Sequence, residues 1–173
     1  TTEASYRQHL VEELFGSMFN DRFSEITQKP NPPFINAFAS QGDLVRSAES
    51  FSLTAIVADN GTQRGLNALL TEGERVKRYG FLQSELDRVK KEFERGIEQA
   101  YAEREKTNSN IYAEAYVSSF LDGQPATSMD YDYAAIRKYL PTIALNEVNE
   151  LAAKWMTEKN RVLATTAPDK PGL

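Results

Sequence analysis

One stripe constrains this chain more than any other feature. Leu86, Val89, Phe93, Ile97 and Ala100 recur at steps of three and four, which places them on one face of a helix. Asp87, Arg88, Lys90, Lys91, Glu92, Glu94, Arg95 and Glu98 form the solvated back of the same helix. Such a stripe demands a partner surface. It is the middle of three successive helical segments between Gly61 and Gly123, separated by Gly80-Phe81-Leu82 and by Thr107-Asn108-Ser109-Asn110. The rest of the chain reads as the supply of that surface.

Residues 3–29 have a broad apolar face, with Tyr6, Leu10, Leu14, Met18 and Phe19 widened by Val11, Phe15, Phe23 and Ile26. Pro30-Asn31-Pro32-Pro33 ends this helix, because proline lacks the N–H donor and steers the residue before it out of helical geometry. Residues 34–41 and 44–58 alternate in polarity, the second with Phe51, Leu53, Ala55 and Val57 on one side. With Gly42-Asp43 as the turn between them, they read as an antiparallel hairpin. Asn60-Gly61 closes the second strand, and Thr62 is the expected cap of the next helix, 62–79. Helices are expected at 83–107, 110–121, 131–140 and 144–158, the last with Leu145, Val148, Leu151, Ala152 and Trp155 in register. Residues 161–166 read as a third strand and 168–173 as a tail or linker. The expected fold is a single α+β domain over 1–173: a small antiparallel sheet of about three strands, with five or six helices packed mainly on one face.

Composition narrows the function. The 173 residues, 40% hydrophobic and 26% charged, suffice for a real core. A net charge of −5, mixed in sign along the chain, disfavours nucleic acid, since phosphate binding needs a basic surface. There is no cysteine, so disulfides and thiolate metal sites are excluded. No apolar run is long enough for a transmembrane helix, and no signal peptide is visible. The chain begins Thr1-Thr2-Glu3 without Met, as a processed chain or an excised piece would.

Candidate chemistry is sparse. His9-Leu10-Val11-Glu12-Glu13 is one letter from the inverted zinc motif H-x-x-E-H, which needs two imidazoles one helical turn apart and a carboxylate base. Glu13 stands where the second histidine belongs, and His9 is the chain's one histidine, so a zinc site of two His and one Glu cannot be built. His9 reads as a surface or capping residue. Glu72, Glu74, Glu85, Asp87, Glu92 and Glu94 could pair for acid–base work. Most lie at three- and four-residue spacing from Arg or Lys, the pattern of exposed ion pairs. Tyr112, Tyr116, Tyr131 and Tyr133 read as core and rim aromatics, with a binding platform as the sharper alternative. The residues alone therefore indicate an α+β unit with no catalytic centre.

The order of segments resembles a known family. A helix ending Met18-Phe19-Asn20-Asp21-Arg22-Phe23-Ser24-Glu25-Ile26 precedes Pro32-Pro33-Phe34 and a strand. Leu69-Leu70-Thr71-Glu72-Gly73-Glu74-Arg75-Val76, Tyr79-Gly80-Phe81 and Glu85-Leu86-Asp87-Arg88-Val89-Lys90-Lys91 follow. Then come Ser109, Phe120-Leu121-Asp122-Gly123, Leu140-Pro141-Thr142-Ile143-Ala144-Leu145-Asn146-Glu147-Val148-Asn149 and Asn160-Arg161-Val162. The Gly80-to-Lys90 and Leu140-to-Asn149 runs are the more specific pieces. Together they resemble the pitrilysin/insulinase family of zinc metallopeptidases, the inverzincins, from about residue 5 to 168.

The resemblance implies a part of a larger peptidase. Family members repeat a mitochondrial-processing-peptidase-like α+β domain, arranged as two halves that close on an unfolded peptide. The first domain carries zinc on H-x-x-E-H. This chain resembles the later portion of a second-type domain, without its upstream strand-and-helix portion, which scaffolds the chamber and binds no metal. In the family's C-terminal half, a segment like R-E-K-x-G-L-A-Y supplies an Arg and a Tyr that contact peptide. Here Thr27 and Phe34 fall at those positions as substrate-chamber residues, and neither can make the polar contact. That points to the non-catalytic domain of the N-terminal half. The expectations are then no catalytic and no metal residue in this chain, with zinc in the parent's first domain. Expected partners are the other domains of the same peptidase and unfolded peptide, in a periplasmic or secreted setting. A free-standing, catalytically inactive module that docks a partner subunit is the alternative, and either hairpin strand could offer an edge for β-addition.

Overall fold

The computed structural model describes residues 2–45, 48–122 and 126–167. Six helices and two strands follow one another among them: α1 (Glu3–Thr27), β1 (Asn36–Val45), β2 (Ala48–Ile56), α2 (Thr62–Tyr79), α3 (Gln83–Ala102), α4 (Ser109–Asp122), α5 (Met129–Tyr139) and α6 (Leu145–Trp155). Short 3-10 turns occupy Arg104–Lys106 and Leu140–Thr142. The class is α+β. The expected tail, 168–173, lies outside the described residues. Contacts gather into two compact units, one of Thr1–Leu14 with Gln83–Ala144, the other of Phe15–Leu82 with Leu145–Leu173.

In the first unit, α1 starts from a reciprocal cap. Ser5 donates its backbone N–H to Thr2 Oγ1 at 3.2 Å, and Thr2 donates its own to Ser5 Oγ at 2.9 Å, satisfying donors that a helix start leaves without partners. The α3 stripe is used unevenly: Leu86 and Val89 are fully buried, while Phe93, Ile97 and Ala100 are half-buried. α3 packs on α5, which opens with Ser128 accepting from the Tyr131 N–H at 3.2 Å. The Lys90 ammonium donates to the Ile143 carbonyl at 2.6 Å, fixing the chain just after the second 3-10 turn.

The second unit is built around aromatic rings. Phe15, on α1, meets Phe19, Phe51, Phe81 and Trp155 at centroid distances of 5.2–5.8 Å, mostly edge to face, the arrangement the ring quadrupoles favour. β1 and β2 pair antiparallel, from Asn36 opposite Ile56 to Val45 opposite Ala48. Ala37 and Ala39 are buried and lie opposite Ala55 and Leu53. α2 approaches the chain just after β2 closely, since a Cβ on Gly65 would lie 2.4 Å from Val57 Cγ1.

Three local expectations change. Gly42-Asp43 is not a turn: the register that buries Ala37 and Ala39 carries the ladder on, with Gly42 opposite Ser50 and Asp43 opposite Glu49. A register irregularity follows between Asp43 and Val45, and residues 46–47 lie outside the described residues. Thr62 does not cap α2. Gly61 holds that position with no side-chain bond, and Thr62 is already helical. Residues 161–166 make no strand ladder, although 161–164 line the same groove as Phe51–Thr54. Val162 and Leu163 are exposed there, and the Arg161 guanidinium donates to the Thr157 carbonyl at 3.1 Å.

Candidate functional site

His9 sits exposed on α1. Its Nε2 is 3.3 Å from Glu13 and its Nδ1 4.0 Å from Glu12, and the hydrogen bond with Glu13 raises the imidazole pKa above its ordinary value. Among the described residues, no group of three or more His, Cys, Asp or Glu is placed to hold a metal ion. The carboxylates do not converge either. Glu74 binds the Arg78 guanidinium at 2.5 Å, and that hydrogen bond holds its pKa below the usual carboxylate range. Glu72 is buried and is held by Arg22 at 3.0 Å, with Arg75 at 3.5 Å. An ionised group so deep needs such partners, because desolvation otherwise penalises its charge.

Arg22 does more than neutralise Glu72. It donates to the Gly80 carbonyl at 3.1 Å and lies over the Phe81 ring, 4.7 Å from its centroid. From the far end of the sequence, Asn149 accepts the Phe81 N–H at 2.8 Å and donates to the Phe81 carbonyl at 3.4 Å. Gly80 has a φ of 67°, and a Cβ there would meet Asn149 at 2.6 Å, so only glycine fits the corner. The two most specific sequence pieces, Gly80-Phe81 and Val148-Asn149, thus meet in one hydrogen-bonded corner. Its one carboxylate, Glu72, is taken up by Arg22 and Arg75.

Thr27 and Phe34 have different surroundings. The Thr27 hydroxyl donates to the Ser24 carbonyl at 2.7 Å at the end of α1. Phe34 is buried edge-on against Phe23, with centroids 5.9 Å apart. Of the four tyrosines, Tyr131 meets Tyr6 edge to face and Tyr133 stacks on Tyr101 at 4.2 Å, whereas Tyr112 and Tyr116 are exposed on α4.

Sequence reasoning named the hairpin edges but missed the groove beside one of them, about 560 Å³ in the second unit. Its walls are Phe51–Thr54 of β2, Leu66, Leu69, Leu70 and Gly73 of α2, Trp155 and Met156, and residues 159–164. β1 is protected on its far side: Asn20 Oδ1 accepts the Ala39 N–H at 2.7 Å, and Asn20 Nδ2 donates to the Ala39 carbonyl at 3.2 Å. Ala39 therefore aims its backbone away from β2, and its opposite number, Leu53, aims N–H and C=O at the groove. Among the described residues, no strand pairs there. The signal was present in the strong β character of 50–57, but edge and interior strands share that pattern.

The chain is similar to known peptidases. It is 25% identical, over 167 residues, to a protein of Arabidopsis thaliana named "Zinc protease PQQL-like". That match covers 96% of this chain and 14% of the relative. Its fold matches the first half of the periplasmic protease PqqL of Escherichia coli with a TM-score of 0.81 and 20% identity, over 89% of this chain and 33% of that one. The structure of PqqL itself gives the same TM-score, over 88% of this chain and 17% of that one. The chain resembles the pitrilysin/insulinase-like zinc peptidases in sequence and in fold. No protein-family model matches it. Within that likeness, the chain spans a small fraction of its relatives' length, and no helix among its described residues is long and apolar enough to cross a membrane.

Proposed function

We propose that this chain is a non-catalytic domain of a zinc metalloendopeptidase, walling the peptide chamber and packing on other domains of the same protein. One observation carries the reading: nearly the whole chain aligns with a short segment of a zinc protease-like protein, yet it has a single histidine. A domain of this fold without a second imidazole cannot hold the hydrolytic metal, and zinc belongs to another domain of the parent. The Arg22–Glu72–Gly80–Phe81–Asn149 corner supports a scaffolding role, because its polar groups satisfy one another. Thr27 and Phe34, at the places where a substrate-gripping copy would carry Arg and Tyr, leave this wall without a polar hold on peptide. The match to the first half of PqqL, a periplasmic protease, supports a place in the N-terminal half and a periplasmic setting.

Metal analysis and a peptidase assay on the purified chain test this. The expected result is no stoichiometric zinc after dialysis and no cleavage of unfolded peptide. One equivalent of tightly held zinc overturns the proposal.

A further inference from the structure

We propose that the aromatic side of α4 is a self-association surface, on which α4 of a second copy of this chain lies antiparallel. The inference goes beyond the peptidase reading and does not rest on it.

Three observations converge on this. The first is a helix without a cover. From Ser109 to Leu121 every side chain is exposed except Ser119, which is half-buried. The Tyr112 hydroxyl ties the helix to the rest of its unit, donating to the Arg104 carbonyl at 3.4 Å. A helix of 14 residues is marginal in water by itself and draws its stability from a packed face.

The second is the area on offer. Tyr112, Tyr116 and Phe120 follow one another at steps of four, so they share one side of the helix, with Ala113 and Ser119 beside them and Val117 at the margin. Tyr116 is 68% exposed and Phe120 88%. An aromatic side chain buries about 150–250 Å², so this side offers on the order of 500 Å² per copy. Two copies together then bury about 1,000 Å², the lower bound of a specific interface and the size of a weak, reversible dimer.

The third is charge. The aromatic side carries no ionised residue, and Glu114 lies on the opposite side of the helix. Two copies of an acidic protein therefore meet there without setting carboxylate against carboxylate. α4 has no Lys or Arg to draw it to an anionic lipid surface. Antiparallel pairing also opposes the two helix dipoles and sets Tyr112 of one copy beside Phe120 of the other, with Tyr116 of both at the two-fold axis. A tyrosine hydroxyl both donates and accepts, so the two central phenols can satisfy each other.

Sedimentation of the whole chain over a concentration series tests this. The expected mass rises reversibly from one chain toward two, and added salt does not reverse the rise, because no ion pair holds the contact. Phe120→Glu should weaken association at least tenfold with an unchanged circular dichroism spectrum, since an 88% exposed ring supports little of the fold. Ile111→Glu, on the opposite side of α4, should associate as the parent does. The sequence has no cysteine, so single thiols report on the geometry. Helices packed 8–10 Å apart bring facing Cα atoms within disulfide reach. Under an added mild oxidant, Tyr116→Cys should give a cross-linked dimer and Glu114→Cys should not. The proposal fails if the chain stays monomeric throughout, which is the result expected of a side reserved for a different protein. It fails equally if Phe120→Glu associates like the parent, or if the two cysteine variants cross-link alike.

Discussion

The two compact units are held together differently. The second buries large rings: Phe15, Phe19, Phe23 and Phe34 are all essentially inaccessible, and Phe51, Phe81 and Trp155 close around Phe15. The first relies on smaller aliphatic residues, Leu86, Val89, Leu140 and Ile143, and on polar ties between distant segments. There Tyr6 donates to Asp132 at 3.1 Å, Arg7 to the Thr142 carbonyl at 3.0 Å, and Lys138 to Glu3 at 2.9 Å, while the Tyr139 hydroxyl also reaches Glu3. The first unit also carries α4, whose Tyr116 and Phe120 are strongly exposed. Ring burial is close to additive in area and costly to undo. Exposed polar ties exchange water for protein and contribute little net. The difference teaches that one chain can combine a ring-packed unit carrying the hairpin with a mostly helical unit tied by polar contacts.

The sharpest way to break this comparison is Phe15→Ala. Removing the ring at the centre of the cluster should cost about 3–5 kcal/mol, read as a fall in the urea midpoint at unchanged slope. Arg22→Ala comes next, at about 3 kcal/mol, because it strands the buried Glu72 carboxylate. The loss is at the lower end for a buried pair, since Arg75 remains 3.5 Å from the same carboxylate. Asn149→Ala should cost about 2 kcal/mol by leaving the Phe81 N–H without its partner, and amide exchange at Phe81 should quicken.

In the first unit the expected effects are smaller. Tyr6→Phe removes one half-buried hydrogen bond and should cost about 1 kcal/mol. If it costs as much as Phe15→Ala, the contrast between the units is wrong. The phenol's pKa is raised, first by burial and then by Asp132, so Tyr6 should show no ultraviolet ionisation at the pH where free tyrosine titrates. The smallest effect belongs to His9. Its folded-state pKa is raised by Glu13, so its contribution is fully present below the unfolded imidazole pKa and is lost as pH rises through the folded one. Stability of the His9→Ala variant, compared with the parent across that neutral window, should lack this small fall.

The helices were legible because their signal is local. The α3 stripe, the proline stop after α1 and the α6 register each depend on neighbours within a turn or two. Two of the corner's residues, Gly80 and Phe81, were visible as punctuation. Their partner was not, because nothing in residues 79–82 states that Asn149, 68 positions away, will occupy the space a Cβ would need. Gly42-Asp43 misled for the same reason: turn chemistry is a local preference, and the burial of Ala37 and Ala39 outweighed it. Glu72 looked like one more exposed carboxylate until Arg22 covered it. The groove escaped notice because a strand's free edge depends on which neighbours are missing.

By itself, the order of residues determined the helix faces, the mixed helix-and-strand class and the lack of a second imidazole for a zinc site, because periodicity and inventory need no distant partner. Only the tertiary structure decided the hairpin register, the Arg22–Glu72–Asn149 corner and the open side of β2. Those outcomes depend on which burial and hydrogen-bond partners prevail together across the whole chain.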